Sequence, residues 1–159
     1  MPKILFVCTG NLYRSPLAAA FFVRKLQENK KQKNWEVGSA GTWTVKGKSV
    51  PQEVLIAAEK FGLDLKGHAT SMLDTNLLAT QDLILVMERG HKEALSVEFP
   101  LARNKIYMLS EAVDDQEYDI PDPLKSGQAI DALAADLSEL MERGHPKIVD
   151  LVERLPSGR

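Results

Sequence analysis

The sequence predicts an α/β fold: a single-domain, three-layer sandwich with helices on both faces of a parallel sheet. Three observations carry this. The runs "KILFVC" (3–8), "DLILVM" (82–87) and "KIYML" (105–109) are short and continuously apolar, as expected for strands buried on both faces. Segments of helical spacing alternate with the strands from end to end, the ordering of a parallel sheet. The 159 residues amount to one domain, assigned to 1–159, long enough to bury a sizeable core.

The elements follow in order. After the first strand, Ala19, Phe22, Val23 and Leu26 fall on one helix face, and Ser15-Pro16 suits the helix start, where a missing N–H costs nothing. "WEVGSAGT" (35–42) reads as a second strand running into a turn. "SVPQ" (49–52) offers a capping box with Ser49 as N-cap, and Val54, Ala57, Ala58 and Phe61 share the face that follows. Gly62 suits the stop. The third strand, 82–87, leads to a helix through Ala94 and Leu95, and 105–109 is the fourth strand. Residues 110–125 read as turn-rich and acidic. From Ser126, Ile130, Leu133, Ala134, Leu137 and Met141 mark a long amphipathic helix, which Gly144 ends and Pro146 restarts.

Composition narrows the function. A net charge of −2 argues against nucleic acid as the partner. Lys30, Lys31 and Lys33 read as a solvated helix end. The single cysteine allows neither an internal disulfide nor a cysteine-cluster metal site, and fits a reducing compartment. "ILFV" is too short for a signal peptide's apolar core, and no run reaches membrane-spanning length. A cytoplasmic protein with no membrane contact is expected.

The chemistry concentrates in "CTGNLYRSP" (8–16). Ligands of parallel sheets bind at the carboxyl ends of strands, and Cys8 stands at the end of the first. Gly10 permits positive φ and Asn11 tolerates it. Such a loop turns the N–H groups of Thr9, Gly10, Asn11, Leu12 and Tyr13 toward one centre. The helix N-terminus adds partial positive charge, and Arg14 adds a planar fork for oxyanions. Together these suit a dianionic phosphate, and they favour Cys8 as an ionised nucleophile with a hydrogen bond from Ser15. Lone cysteines are more often small buried hydrophobes. Here the Gly-Asn that follows and the Arg-Ser-Pro that closes the loop decide for chemistry.

"VCTGNLYRSP" resembles the signature loop of the low-molecular-weight protein tyrosine phosphatases. "SAGT" (39–42), "GLDLKGH" (62–68), "DLILVM" (82–87) and "PDP" (121–123) follow in that family's order. The resemblance implies a four-stranded parallel sheet of flavodoxin-like order 2-1-3-4. It also implies metal-independent hydrolysis of phosphotyrosine in proteins, and of small aryl phosphates, through a phosphocysteine intermediate. No cofactor and no metal are implied, and the protein is expected to be a monomer or to self-associate weakly.

A phenolate of pKa near 10 leaves more readily with a proton donor. Pro121 and Pro123 flank Asp122 and restrict its backbone. On local grounds alone Asp114, Asp115, Glu117 and Asp119 stand as rivals; the resemblance selects Asp122 as general acid and then general base. It also implies that His68 and Ser39 support the loop through its asparagine. Trp43 is either a wall for the substrate ring or a half-buried structural residue, and Leu124 lines the same cleft. His91 and His145 show no ligand spacing and read as surface residues.

The chain departs from the family at three places. Tyr13 replaces a second cysteine that can pair with the nucleophile. Ala19 stands where similar proteins often carry a glutamate beside the histidine. Leu124-Lys125 replaces the tyrosines of eukaryotic members. An alternative on the same scaffold is a phosphoarginine phosphatase, but those relatives tend to carry threonine at the position of Leu12, and an apolar residue there suits an aromatic ring. A phosphate-binding module without turnover is a further reading, opposed by the retention of Cys8, Arg14 and Asp122. Arsenate reduction would need more cysteines.

Overall fold

The computed structural model describes residues 1–30 and 34–156, so Lys31 and Lys33 of the basic cluster lie outside the described residues. The four strands are β1 (Lys3–Cys8), β2 (Glu36–Gly41), β3 (Leu83–Val86) and β4 (Ile106–Met108). They form one parallel sheet of order β2-β1-β3-β4. The helices are α1 (Arg14–Glu28), α2 (Gln52–Lys60), α3 (Thr75–Ala79), α4 (Arg89–Glu98), α5 (Leu109–Asp114), α6 (Pro123–Ser126) and α7 (Ile130–Arg154), with a 3-10 turn over Pro100–Lys105.

β1 from Ile4 onward and β3, the two central strands, are apolar without a break because both faces are covered, whereas β2 at the edge is not. Ile4, Phe6 and Cys8 of β1 point into the core beneath α1, α2 and α7; Leu5 and Val7 point into a second core beneath α3 and α4. β3 divides likewise, with Leu83 and Leu85 to the first side and Ile84 and Val86 to the second. The alternation is the strand's period of two. The larger core is closed by Phe21, Phe22 and Leu26 of α1 and Leu133, Leu137 and Met141 of α7. Phe22 packs with its ring centroid 5.7 Å from Phe6, tilted, and 5.6 Å from Trp35, edge to face. Each fully buried Leu or Phe contributes roughly 1.5–3 kcal/mol.

Three local expectations fail. α2 begins at Gln52 behind Pro51, which caps it without a side-chain bond, so Ser49 and Gln52 form no capping box. Segment 110–125 is less turn-rich than expected: α5 fills its first part and α6 its end, and Val113 of α5 is buried against α7. α7 runs unbroken through both Gly144 and Pro146. Gly144 is there for close approach, since a Cβ on it would lie 2.5 Å from Val113 Cγ2. Pro146 is exposed on the solvent side, where water can take the freed carbonyl. The stop at Gly62 is as expected, with φ of 77°.

Candidate active site

β1 ends at Cys8, which is paired in register with Gly41, the last residue of β2. The chain beyond β2 clasps the start of the loop: the Thr42 N–H donates to Cys8 O at 3.0 Å and the Trp43 N–H to Thr9 O at 2.9 Å. Gly41 permits this closeness, because a Cβ there would sit 2.6 Å from the Thr9 carbonyl oxygen and 3.2 Å from Asn11 Cβ. That is why a glycine stands in "SAGT".

Asn11 adopts the left-handed region at φ 57° and is fully buried. Four hydrogen bonds hold it. Its Oδ1 accepts from the Ser71 N–H at 2.9 Å, which fixes the amide's orientation, and its Nδ2 donates to Ser15 Oγ at 2.9 Å and Ser39 Oγ at 3.0 Å. Its carbonyl accepts from His68 Nε2 at 2.8 Å, so that nitrogen carries the ring proton. Ser15 Oγ lies 3.0 Å from Cys8 Sγ. Having accepted from Asn11, the Ser15 hydroxyl is left to donate to the sulfur.

α1 opens at Arg14 with no side chain capping it and no acid in its first turn. Its first N–H groups therefore face the loop with their partial positive charge undiminished. The Arg14 guanidinium is buried, its side chain 2% exposed. Nη1 pairs with Glu88 Oε2 at 2.6 Å and donates to the Ile120 carbonyl at 2.8 Å, while Nη2 lies 3.8 Å from Asp122 Oδ2. Asp122 caps α6, its Oδ1 accepting from the Leu124 N–H at 3.0 Å. One oxygen is thus fixed by the backbone and the other faces Arg14.

The structure accordingly brings Cys8, Thr9, Asn11, Arg14, Ser15, Ser39, His68 and Asp122 into one network. Three of the rival acids have partners other than Arg14. Asp114 accepts from Arg143 and Tyr118, Glu117 pairs with Arg89 at 2.6 Å, and Asp119 accepts from the Arg89 N–H. The Arg143 and Tyr118 bonds hold Asp114 below the ordinary carboxylate range; burial and Asp114 push Tyr118 up to about 12. Asp115 ends α5 in the left-handed conformation.

Trp43 is 81% exposed and Leu124 72%, so Trp43 is not a half-buried structural residue. Each follows a fixed backbone: Trp43 is tied to Thr9, Leu124 to Asp122. Tyr13 donates from its hydroxyl to Glu53 Oε1 at 3.2 Å, linking the loop to α2, and burial raises its pKa, with the Glu53 bond adding to the effect. Ala19 packs against the main core.

Two residues of the network escaped the sequence reading. Glu88 is the N-cap of α4 as well as the partner of Arg14. His91, expected at the surface, is buried, bonded through Nε2 to Thr9 Oγ1 at 2.9 Å. Burial lowers its pKa. The only sequence signal is the "MERGH" that follows β3: an acid at an N-cap with a hydrogen-bonding side chain three residues on. His145 is half-buried, its Nε2 3.0 Å from Asn29 Nδ2.

Comparison with known proteins places this arrangement. The family model described as low molecular weight phosphotyrosine protein phosphatase matches residues 3–155. A protein-arginine-phosphatase of Geobacillus stearothermophilus is 35% identical over 87% of this chain and 88% of its own length. The low molecular weight protein-tyrosine-phosphatase Wzb of Escherichia coli K12 is 34% identical over 89% and 90%. Among solved structures, the arginine phosphatase YwlE, as a cysteine-to-serine mutant with a phosphorylated active-site serine, superposes with a TM-score of 0.84 at 27% identity, covering 96% of each chain.

Proposed function

The chain belongs to the low molecular weight phosphotyrosine protein phosphatase family, and we propose that it hydrolyses phosphotyrosine in proteins, and aryl phosphate monoesters, with Cys8, Arg14 and Asp122 as its catalytic residues. One observation carries the assignment of roles: Cys8 Sγ, bonded to Ser15, shares a single loop with Arg14, whose second nitrogen reaches toward Asp122. Cys8 Sγ attacks phosphorus in line with the leaving oxygen. Arg14 and the loop N–H groups of residues 9–15 bind the three equatorial oxygens. Asp122 gives its proton to the departing phenolate, leaving phosphocysteine and a free phenol. Water then attacks phosphorus, Asp122 takes its proton, and sulfur departs with its electron pair.

The phosphate's charge is met by Arg14, the loop amides and the α1 N-terminus, which supports chemistry without a metal. No helix among the described residues is long and apolar enough to cross a membrane, and we infer action on partners in solution, within the cytoplasm. A phosphoarginine substrate is the second reading, favoured by the likeness to protein-arginine-phosphatases. Leu12 in the loop and the exposed Trp43 and Leu124 beside it favour an aromatic ring instead. Matched phosphotyrosine and phosphoarginine peptides test the choice. Higher kcat/KM on phosphotyrosine, abolished by Cys8→Ser, is expected; the reverse preference would transfer the assignment to phosphoarginine.

A further inference from the structure

Two bonds fix the tautomer of His91. Its Nδ1 accepts the Glu88 backbone N–H at 3.2 Å, completing the capping box of α4. Nδ1 is therefore bare, Nε2 carries the proton, and the contact at 2.9 Å is Nε2–H donating to the Thr9 hydroxyl oxygen. Thr9 directly follows the nucleophile. Its carbonyl is already held from the β2 side by the Trp43 N–H, and His91 holds its side chain from the β3 side. Glu88, in the same first turn of α4, takes Arg14 at the other end of the loop. One helix start thus grips both ends of the anion cradle, across 82 residues at Thr9 and 74 at Arg14.

We infer that His91 is a positioning residue for the phosphate loop, holding Thr9 in place through its Nε2–H; the inference rests on the phosphatase reading above. The device works with a neutral ring. The charged groups around His91 are Glu88, Asp119 and Asp122, which favour a proton on it, and Arg14, which opposes one; burial is the largest influence, and with Arg14 it lowers the pKa. Protonation would set an Nδ1–H against the Glu88 N–H and break the cap.

The two ring nitrogens can be tested separately. In His91→Gln the side-chain amide N–H can take the place of Nε2 and keep Thr9, whether or not its oxygen also takes over the cap. In His91→Asn the amide oxygen can replace Nδ1 and keep the cap, while Thr9 is released. With p-nitrophenyl phosphate, His91→Asn is expected to lose about fivefold to tenfold in kcat/KM, the weight of one buried hydrogen bond, with vanadate bound more weakly by a similar factor. His91→Gln is expected to stay within about twofold of wild type even where its unfolding midpoint falls. Thr9→Val should copy His91→Asn, and the double variant should lose no more than either single one.

His91→Asn matching wild type, or losses that multiply in the double variant, would overturn the inference. Should His91→Asn not fold, Thr9→Val and the ¹⁵N signature of a protonated Nε2 in wild type decide it: an unaffected Thr9→Val or a protonated Nδ1 counts against. A wild type that binds vanadate yet hydrolyses no aryl phosphate refutes the phosphatase reading alone, and vanadate affinity across the same variants then decides this inference. A wild type that does neither refutes both.

Discussion

Glu88 Oε2 lies 2.6 Å from Arg14 Nη1, so the buried guanidinium has a fixed counter-charge on one side and keeps its other nitrogen toward Asp122. A cation held this way is aimed by the pair, and the aim depends on a residue 74 positions away.

Glu88→Ala is expected to lower stability by about 2 kcal/mol. Breaking a buried pair costs about 3–5 kcal/mol, and the partial exposure of Glu88 reduces this. Freed from its anchor, Arg14 should bind phosphate in several orientations, and kcat/KM should fall about tenfold or more. Urea unfolding and steady-state kinetics on the same preparation check both effects; unchanged kinetics would show that Glu88 does not aim Arg14.

Asp122→Asn keeps the cap of α6 and removes the proton. On a phenolic leaving group the loss should be about 100-fold or more, and markedly smaller on an activated leaving group such as p-nitrophenolate. Equal losses on both would mean that Asp122 acts through binding.

Gly41→Ala places a methyl 2.6 Å from the Thr9 carbonyl. The contact is with backbone, so the loop itself must shift. A cost of about 1–3 kcal/mol is expected, with weaker vanadate binding. Ala at Gly67, where nothing lies within 4 Å, is the matched control and should leave binding unchanged.

The lowered pKa of His91 links folding to pH. Its folded value lies below the ordinary 6.5. As pH falls below about 6.5 the unfolded chain takes up a proton that the folded state resists, so stability decreases there and is fully present above it. Asp114, depressed by Arg143 and Tyr118, adds a separate loss only below its ordinary 3.8. Unfolding free energies at pH 7.5 and 5.5 should differ in wild type, and the difference should shrink in His91→Gln.

Cys8 is the only cysteine in the chain, so oxidised sulfur finds no second thiol within it. Prolonged peroxide treatment is expected to drive it past the sulfenic stage, with incomplete recovery in dithiothreitol. Tyr13→Cys should improve recovery; full recovery of wild type after the same exposure would count against this.

The loop over 8–16 was readable because its parts are contiguous: a strand end, a permissive Gly-Asn pair and a helix start occupy nine successive residues. The sheet was readable because burial on both faces leaves uninterrupted apolar runs. What stayed hidden acts across the fold. Glu88 and His91 reach the loop only because β3 lies beside β1, a juxtaposition that local pattern does not encode. Gly144 misled for a related reason: glycine marks a helix end by its local freedom, whereas here it is selected by the approach of Val113. Ser49 misled because Pro51 already sets the helix start.

Asn11 is tethered by Ser71, Ser15, Ser39 and His68, which come from the helix after the loop, from β2 and from the chain segment that follows α2. The turn is therefore held from three directions, and no tether is spare: Asn11 is fully buried, so removing one partner strands a polar group out of reach of water, at about 1–3 kcal/mol. Ser15 doubles as the partner of Cys8, so its loss would reach the sulfur as well as the turn. Erosion at a residue far along the chain would be felt at the thiol with no contact between the two.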